Sequence, residues 1–329
     1  MSSLQSTLRI LSLSAVIIGQ LPISSNPAQA QDAANANFFQ SHPVQFPNGV
    51  EAHTGVTYST QIGYRPLRLD IYGNPNFETP RPLILFVHGG AWESGNRQAS
   101  GEFKNFPSIL SGIAARGFVV ASAEYRLNGE APFPAPYHDI QAALRFLRTN
   151  ASTYGINPEK IGIWGSSSGG QLAALAAVAC RTDVLEKVAD TADTTSTCVN
   201  AAAIWNGVFD FKAMEPSPKL SQAAHPRSRL LSCTPGSCTN AALQTASPIT
   251  YVDQKSPPFF LAHSRADNVV PFAQSEEFEK KLRDNGVEVT THYVDGLKHG
   301  FRSDDPEVTA KAGDELLQLT FNYFEAELN

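Results

Sequence analysis

A serine at the apex of a strand-to-helix turn is the residue in this chain best placed to act as a nucleophile. Gly165-Ser166-Ser167-Ser168-Gly169 has the pattern G-x-S-x-G with Ser167 at its centre. The apolar run Lys160-Ile161-Gly162-Ile163-Trp164 precedes it and the helix-like run Gln171-Leu172-Ala173-Ala174-Leu175-Ala176-Ala177 follows. Strand, tight turn and helix in that order hold the central serine in a strained conformation, with its hydroxyl clear of the backbone. The first turn of the helix offers N–H groups and the positive end of its dipole to developing negative charge.

A serine hydroxyl attacks poorly at neutral pH, so it needs a base to take its proton and an acid to orient that base. Of the eight histidines, His299 in Gly296-Leu297-Lys298-His299-Gly300-Phe301 is the candidate base. It follows a strand-like run ending at Val294, where a loop reaches the carboxyl end of a parallel sheet. Asp267 is the candidate acid, because the segment His263 to Pro271 follows the strand-like Phe259 to Ala262 and lies between serine and histidine in the chain. Asp295, four residues before His299, is its rival and ranks behind, since it would have to orient a histidine of its own loop. Asp139, Asp210 and Glu124 read as caps or ion-pair partners. Val87-His88-Gly89-Gly90-Ala91-Trp92 ends an earlier strand, and glycines there let backbone N–H groups approach a substrate. Gly89, Gly90 and the N–H of Ser168 are the expected oxyanion donors, with His88 structural rather than a second base.

These residues need a sheet to carry them. Gly55 to Gly63 and Pro66 to Tyr72 alternate polar and apolar residues, as an antiparallel edge hairpin does. Leu83 to Val87 and Phe118 to Ser122 are continuous apolar runs suited to strands buried on both faces, and Lys160 to Trp164, Ala201 to Trp205, Phe259 to Ala262 and Val287 to Val294 continue the series. Phe106 to Arg116, Tyr137 to Thr149, Gln171 to Val178, Phe272 to Asn285 and Pro306 to Leu328 have helical spacing between them. The expected class is α/β, with a mostly parallel central sheet of about eight strands flanked by helices. Residues 209–247, rich in proline, break the rhythm and read as a small cap insertion over the site within a domain spanning 50–329.

The chain has 329 residues, 42% hydrophobic and 17% charged, with a formal net charge of -6. No basic cluster is present, which argues against nucleic acid as a partner. Residues 1–30 read as a signal peptide: Arg9, the apolar Ile10 to Ile18, and Ala28-Gln29-Ala30 with cleavage after Ala30. That predicts a secreted or periplasmic protein without stable membrane insertion, and residues 31–49 as a flexible N-terminal segment. The four cysteines allow three pairings, of which Cys180–Cys198 and Cys233–Cys238 close short local loops and are expected. Their spacing lacks a second ligand pair for a metal.

The chain resembles the α/β-hydrolase superfamily, and within it the hormone-sensitive-lipase-like and bacterial feruloyl-esterase-like or acetyl-xylan-esterase-like carboxylesterases. The resemblance rests on His88-Gly89-Gly90-Ala91-Trp92, Glu124-Tyr125-Arg126-Leu127, Phe133-Pro134-Ala135-Pro136 leading into Asp139, and Gly165 to Gly170. Ala246-Ser247-Pro248-Ile249-Thr250-Tyr251-Val252, Asp267 and His299-Gly300-Phe301 complete it in order. It implies Ser167, Asp267 and His299 as a triad and Gly89, Gly90 and Ser168 as the oxyanion hole. It also implies a serine esterase that needs no metal or organic cofactor, with a small-molecule ester as its partner. Two positions depart from the family: Ser166 stands where an acidic residue is usual, and Ala91 replaces a third glycine. Trp92, Trp205, Phe209, Phe211 and Phe301 are candidates to line an aromatic pocket for short-chain or aryl esters. An arylformamidase, a serine peptidase, or a binding protein of the cholinesterase-like kind would share the fold; the intact residue set favours the esterase.

Overall fold

Leu83-Ile84-Leu85-Phe86-Val87 has no polar face, and in the computed structural model of the protein it lies fully buried at the centre of a sheet. The structure describes residues 43–101, 103–182, 185, 194–214, 226–234 and 236–329. The expected signal peptide 1–30 and residues 31–42 lie outside the described residues, as do residues 215–225 of the expected cap.

The described strands are β1 (Val44–Gln45), β2 (Glu51–Ser59), β3 (Leu67–Gly73), β4 (Arg81–Val87), β5 (Val119–Ala123), β6 (Ile156–Ser166), β7 (Ala201–Trp205), β8 (Phe259–Ser264) and β9 (Val289–Val294). They form one sheet in the order β1-β2-β3-β5-β4-β6-β7-β8-β9. β1, β2 and β3 run antiparallel, β3 pairs antiparallel with β5, and every pair from β5 to β9 is parallel. The ninth strand, beyond the expected eight or so, is β1, which pairs Val44 with Ala52 and Gln45 with Glu51. Residues 43–49 of the expected flexible segment are described, and there β1 is paired to β2. Apolar burial is the reason: Phe46 packs on Tyr72 at 5.9 Å between ring centroids and Val50 is buried.

Seven α-helices are described: α1 (Phe106–Ala115), α2 (Ala135–Thr149), α3 (Ser167–Val178), α4 (Pro226–Leu230), α5 (Asn240–Ala246), α6 (Ala273–Asp284) and α7 (Pro306–Leu328). Because side chains alternate across a strand, the apolar runs supply both faces of the sheet. Leu83, Leu85, Val87, Ile161 and Ile163 face one core with Leu144 of α2, Leu172 of α3 and Phe278 of α6. Ile84, Phe86, Trp164 and Trp205 face the other, with Leu110 of α1 and Phe324 of α7. Gly162 lets α7 sit directly on β6, since a Cβ there would lie 2.6 Å from the Phe324 ring. Helix starts follow side-chain chemistry: Asn105 accepts from the Ser108 N–H at 3.3 Å and Asp305 from the Glu307 N–H at 2.8 Å, each with a proline in the first turn. From Ser168 to Val178 α3 is buried all round, which accounts for its run of alanine and glycine without a polar face.

At the start of the expected 209–247 cap the chain runs through the core. Phe209 and Phe211 are buried in the main core, and Phe209 stacks on Phe278 at 4.1 Å. The described remainder carries the short helices α4 and α5. Arg229 of α4 reaches Glu93 at 2.9 Å, and the carbonyl of Leu230 accepts from the Phe133 N–H at 2.7 Å. Cys180–Cys198 ties the end of α3 to the segment before β7, and Cys233–Cys238 closes the loop between α4 and α5. Among the described residues no helix is long and apolar enough to cross a membrane.

Candidate active site

β6 ends at Ser166 and α3 begins at Ser167, so Ser167 occupies the turn between them. Its φ of 55° lies in the left-handed region, which costs a non-glycine residue about 1–3 kcal/mol and persists only where surrounding packing enforces it. The enforcement is visible at Gly169, where a Cβ would sit 2.2 Å from the carbonyl oxygens of both Val87 and His88. Strand β4, the turn and α3 thus touch backbone to backbone. Ser168 is the second residue of α3, so its N–H is among the donors that a helix start leaves without an intrahelical acceptor.

His299 sits at the tip of a tight turn closed by Lys298 and Arg302, whose N–H groups donate to each other's carbonyls at 2.7 and 3.2 Å. The Ser264 hydroxyl donates to the Leu297 carbonyl and so holds this turn against the end of β8. The ring is held between two partners: Nε2 lies 2.9 Å from Ser167 Oγ and Nδ1 lies 2.7 Å from Asp267 Oδ2. The Asp267 side chain is fully buried. Its Oδ1 accepts from the N–H groups of Val269 and Val270 at 2.8 and 2.9 Å. Burial alone would raise the carboxyl pKa, but hydrogen bonds from His263 and His299 and the Val269 N–H outweigh it and hold Asp267 well below the usual carboxylate range. A permanently charged carboxylate behind a histidine favours the Nδ1–H tautomer, leaving the Nε2 lone pair facing the serine. Asp295 is placed elsewhere: its side chain is 87% exposed and lies 3.5 Å from Arg265.

The loop after β4 lies against the serine. A Cβ on Gly89 would be 3.4 Å from Ser167 Cβ and 3.0 Å from the Ser166 carbonyl oxygen. Gly90 has a φ of 120°, and its carbonyl accepts from the N–H groups of Glu93 and Ser94 at 3.0 and 3.1 Å. Ala91 and Trp92 follow with φ of 56° and 59°, a pair of left-handed non-glycine residues that marks the loop as strained. His88 is buried behind it. Its ring stacks on Tyr125 at 4.3 Å, its Nδ1 lies 2.8 Å from the Gly89 carbonyl, and its own carbonyl accepts from the Tyr125 hydroxyl at 2.9 Å. Burial pushes the His88 pKa down to about 4, so the ring is neutral scaffold at neutral pH.

Three groups here were not legible as site residues. Arg97 reaches Asp70 at 2.6 Å and also Glu124, a polar network under the loop. Gln171 of α3 accepts from the Trp92 indole N–H at 3.0 Å and donates to the Ala246 carbonyl at 2.9 Å, linking loop, helix and α5. His263 lies 3.3 Å from Asp267 Oδ2. Only His263 had a signal, its place at the end of a strand four residues before Asp267.

All five expected pocket residues are buried, Phe209 and Phe211 in the core described above. Trp205 is 1% exposed, donates its indole N–H to Thr320 of α7 at 3.0 Å, and packs on Trp164 at 4.8 Å. Phe301 is 2% exposed and meets the Trp205 ring edge-on at 6.2 Å. Both belong to the core on the α1 and α7 face. Trp92 is also buried, 5.5 Å from the Phe211 ring, but it sits in the loop beside the serine.

Residues 69–282 match the BD-FAE family. Esterase LipQ of Mycobacterium tuberculosis is 33% identical over 236 residues, covering 70% of this chain and 53% of its own length. The carboxylic ester hydrolase LipM of the same organism, described as probable, is 30% identical over 239 residues, covering 70% and 52%. The chain thus spans about half the length of these curated relatives. Among solved structures, a truncated carbohydrate esterase from gut microbiota superposes with a TM-score of 0.70 at 27% identity, covering 86% of this chain and 98% of that one. The propionate-bound esterase 2 of Thermogutta terrifontis superposes with a TM-score of 0.65 at 26% identity, covering 84% and 94%.

Proposed function

The chain belongs to the BD-FAE family of α/β-hydrolases, and from that premise we propose that it is a serine carboxylesterase acting on short-chain or aryl esters through Ser167, His299 and Asp267. One observation carries the reading: the unbroken run of hydrogen-bond distances from Ser167 Oγ through both nitrogens of His299 to a buried carboxylate. In the proposed mechanism His299 Nε2 takes the serine proton as Ser167 Oγ attacks the ester carbonyl. Asp267 holds the imidazole in place and stabilises its charged form. The N–H groups of Gly89, Gly90 and Ser168 receive the oxyanion, each contributing about 2.7–4 kcal/mol to the transition state. His299 returns the proton to the leaving alcohol, and water repeats the sequence on the acyl-enzyme.

Short acyl groups are supported by the propionate held by the Thermogutta terrifontis esterase. A sugar alcohol on the other side of the ester is supported by the likeness to the gut carbohydrate esterase. Secretion or a periplasmic location belongs to the same proposal. Its support is the sequence of residues 1–30 and the two bonded cysteine pairs. The α4–α5 segment is proposed as the described part of a small cap, its link to the oxyanion loop being Arg229 on Glu93.

The test is turnover of p-nitrophenyl esters from acetate to palmitate by the wild type and Ser167→Ala. Serine-dependent activity that peaks at short chains is expected. Turnover retained by Ser167→Ala removes Ser167 as nucleophile, and inactivity on every ester, with turnover of N-formylanilides, moves the assignment to a formamidase.

A further inference from the structure

Asp267 has more hydrogen-bond partners than a triad acid needs. Oδ1 is occupied by two backbone N–H groups and Oδ2 by His299, yet a second histidine also reaches Oδ2. His263, on β8 and fully buried, places Nε2 at 3.3 Å from Asp267 Oδ2 and 3.1 Å from the Val270 carbonyl. A carboxylate and a carbonyl are both acceptors, so Nε2 carries the hydrogen and shares it between them. On the far side Nδ1 lies 2.7 Å from the Ser275 hydroxyl of α6, which pins the ring.

We infer that His263 is a positioning residue: its Nε2–H fixes which face of the Asp267 carboxylate meets His299 and disperses the charge that His299 feels. The inference rests on the proposed triad. The surroundings leave the ring little other use. Phe272 meets it edge-on at 5.7 Å. Tyr293 of β9 is its register partner and donates to Glu279 of α6 at 2.8 Å. Arg265 lies over the rings of Phe272 and Tyr293, at 4.7 and 5.5 Å from their centroids.

The consequence has a definite sign. A carboxylate that loses one N–H partner holds a neighbouring imidazolium more strongly, so His299 stays protonated, and useless as a base, to higher pH. His263 thereby keeps the base available further toward acid.

The test compares His263→Leu, which removes the donor, with His263→Gln, whose amide N–H can replace it, and with Ser275→Ala, which frees the ring. The first readout is the NMR titration of His299 Cε1–H in the full chain, assigned by its loss in His299→Gln. The second is kcat and KM against pH on p-nitrophenyl acetate. In His263→Leu the midpoint and the acid limb of kcat/KM move to higher pH. There kcat falls about ten- to a hundredfold with KM little changed, the size of one lost hydrogen bond to a charged group. His263→Gln returns most of both, and Ser275→Ala shows a smaller shift of the same sign. An unmoved midpoint in folded His263→Leu, or a glutamine variant no better than leucine, overturns the inference. If His263→Leu does not fold, an unmoved midpoint in Ser275→Ala overturns it. The titration is independent of turnover, so failure of the esterase reading, seen as activity indifferent to Ser167→Ala, is distinguished from failure of this one.

Discussion

Replacing Asp267 by asparagine should be far more damaging than its single-atom change suggests, and the geometry says why. Oδ1 is held by two backbone donors, the N–H groups of Val269 and Val270 at 2.8 and 2.9 Å. Turning the asparagine amide to place its NH2 there would set donors against donors twice. The carbonyl oxygen must therefore stay on that side, and the NH2 must take the place of Oδ2, 2.7 Å from His299 Nδ1. His299 then has to accept at Nδ1 and carry its hydrogen on Nε2, facing Ser167, where it cannot act as a base. In serine proteases such a tautomer reversal lowers kcat by about 10⁴, or about 5 kcal/mol of transition-state stabilisation. The same NH2 also faces the Nε2–H of His263 at 3.3 Å, so a further loss of about 1–3 kcal/mol in folding stability is expected from an unsatisfied buried donor. The assay is kcat on p-nitrophenyl acetate for Asp267→Asn and Asp295→Asn, with urea unfolding on both. Asp295 is 87% exposed, and its variant should stay within about twofold of wild type. Asp267→Asn retaining more than about a tenth of wild-type kcat, or Asp295→Asn being the more damaged, would refute the reasoning.

Other perturbations test the loop and the scaffold. Gly89→Ala places a methyl 3.0 Å from the Ser166 carbonyl and 3.4 Å from Ser167 Cβ, so kcat should fall about 10²–10³ with the circular-dichroism melt little changed. His88 is neutral in the folded protein down to about 4 but takes a proton near 6.5 when unfolded. The native state is therefore unpenalised above that upper value and loses up to about 3 kcal/mol as pH falls through the window. Urea unfolding should show this slope, and His88→Gln should flatten it. Alkylation of the denatured, unreduced protein should find no free thiol, and removing Cys180–Cys198 should cost about 3 kcal/mol.

The features legible in the sequence are those whose causes are local. Gly165 and Gly169 announce the turn because only a bare backbone tolerates the contacts on either side of Ser167. A strand with no polar face, such as Leu83 to Val87, can only be central, and proline with a capping side chain starts α1 and α7. The tertiary structure decided matters in which the partner is distant in the chain. Asp267 and Asp295 both follow strands, and the β8–β9 pairing of Ser264 with Val294 brings their loops side by side. What separates them is that the Val269 and Val270 N–H groups and two buried imidazoles converge on Asp267, while Asp295 stays in solvent. Trp205 was one of the aromatic residues expected to line a pocket. Its face of the pleat and the hydroxyl of Thr320, 115 residues away, made it core instead. Chain propensities act over one turn or one strand, whereas burial and hydrogen-bond partnership are settled by whatever the packed sheet brings within about 3 Å.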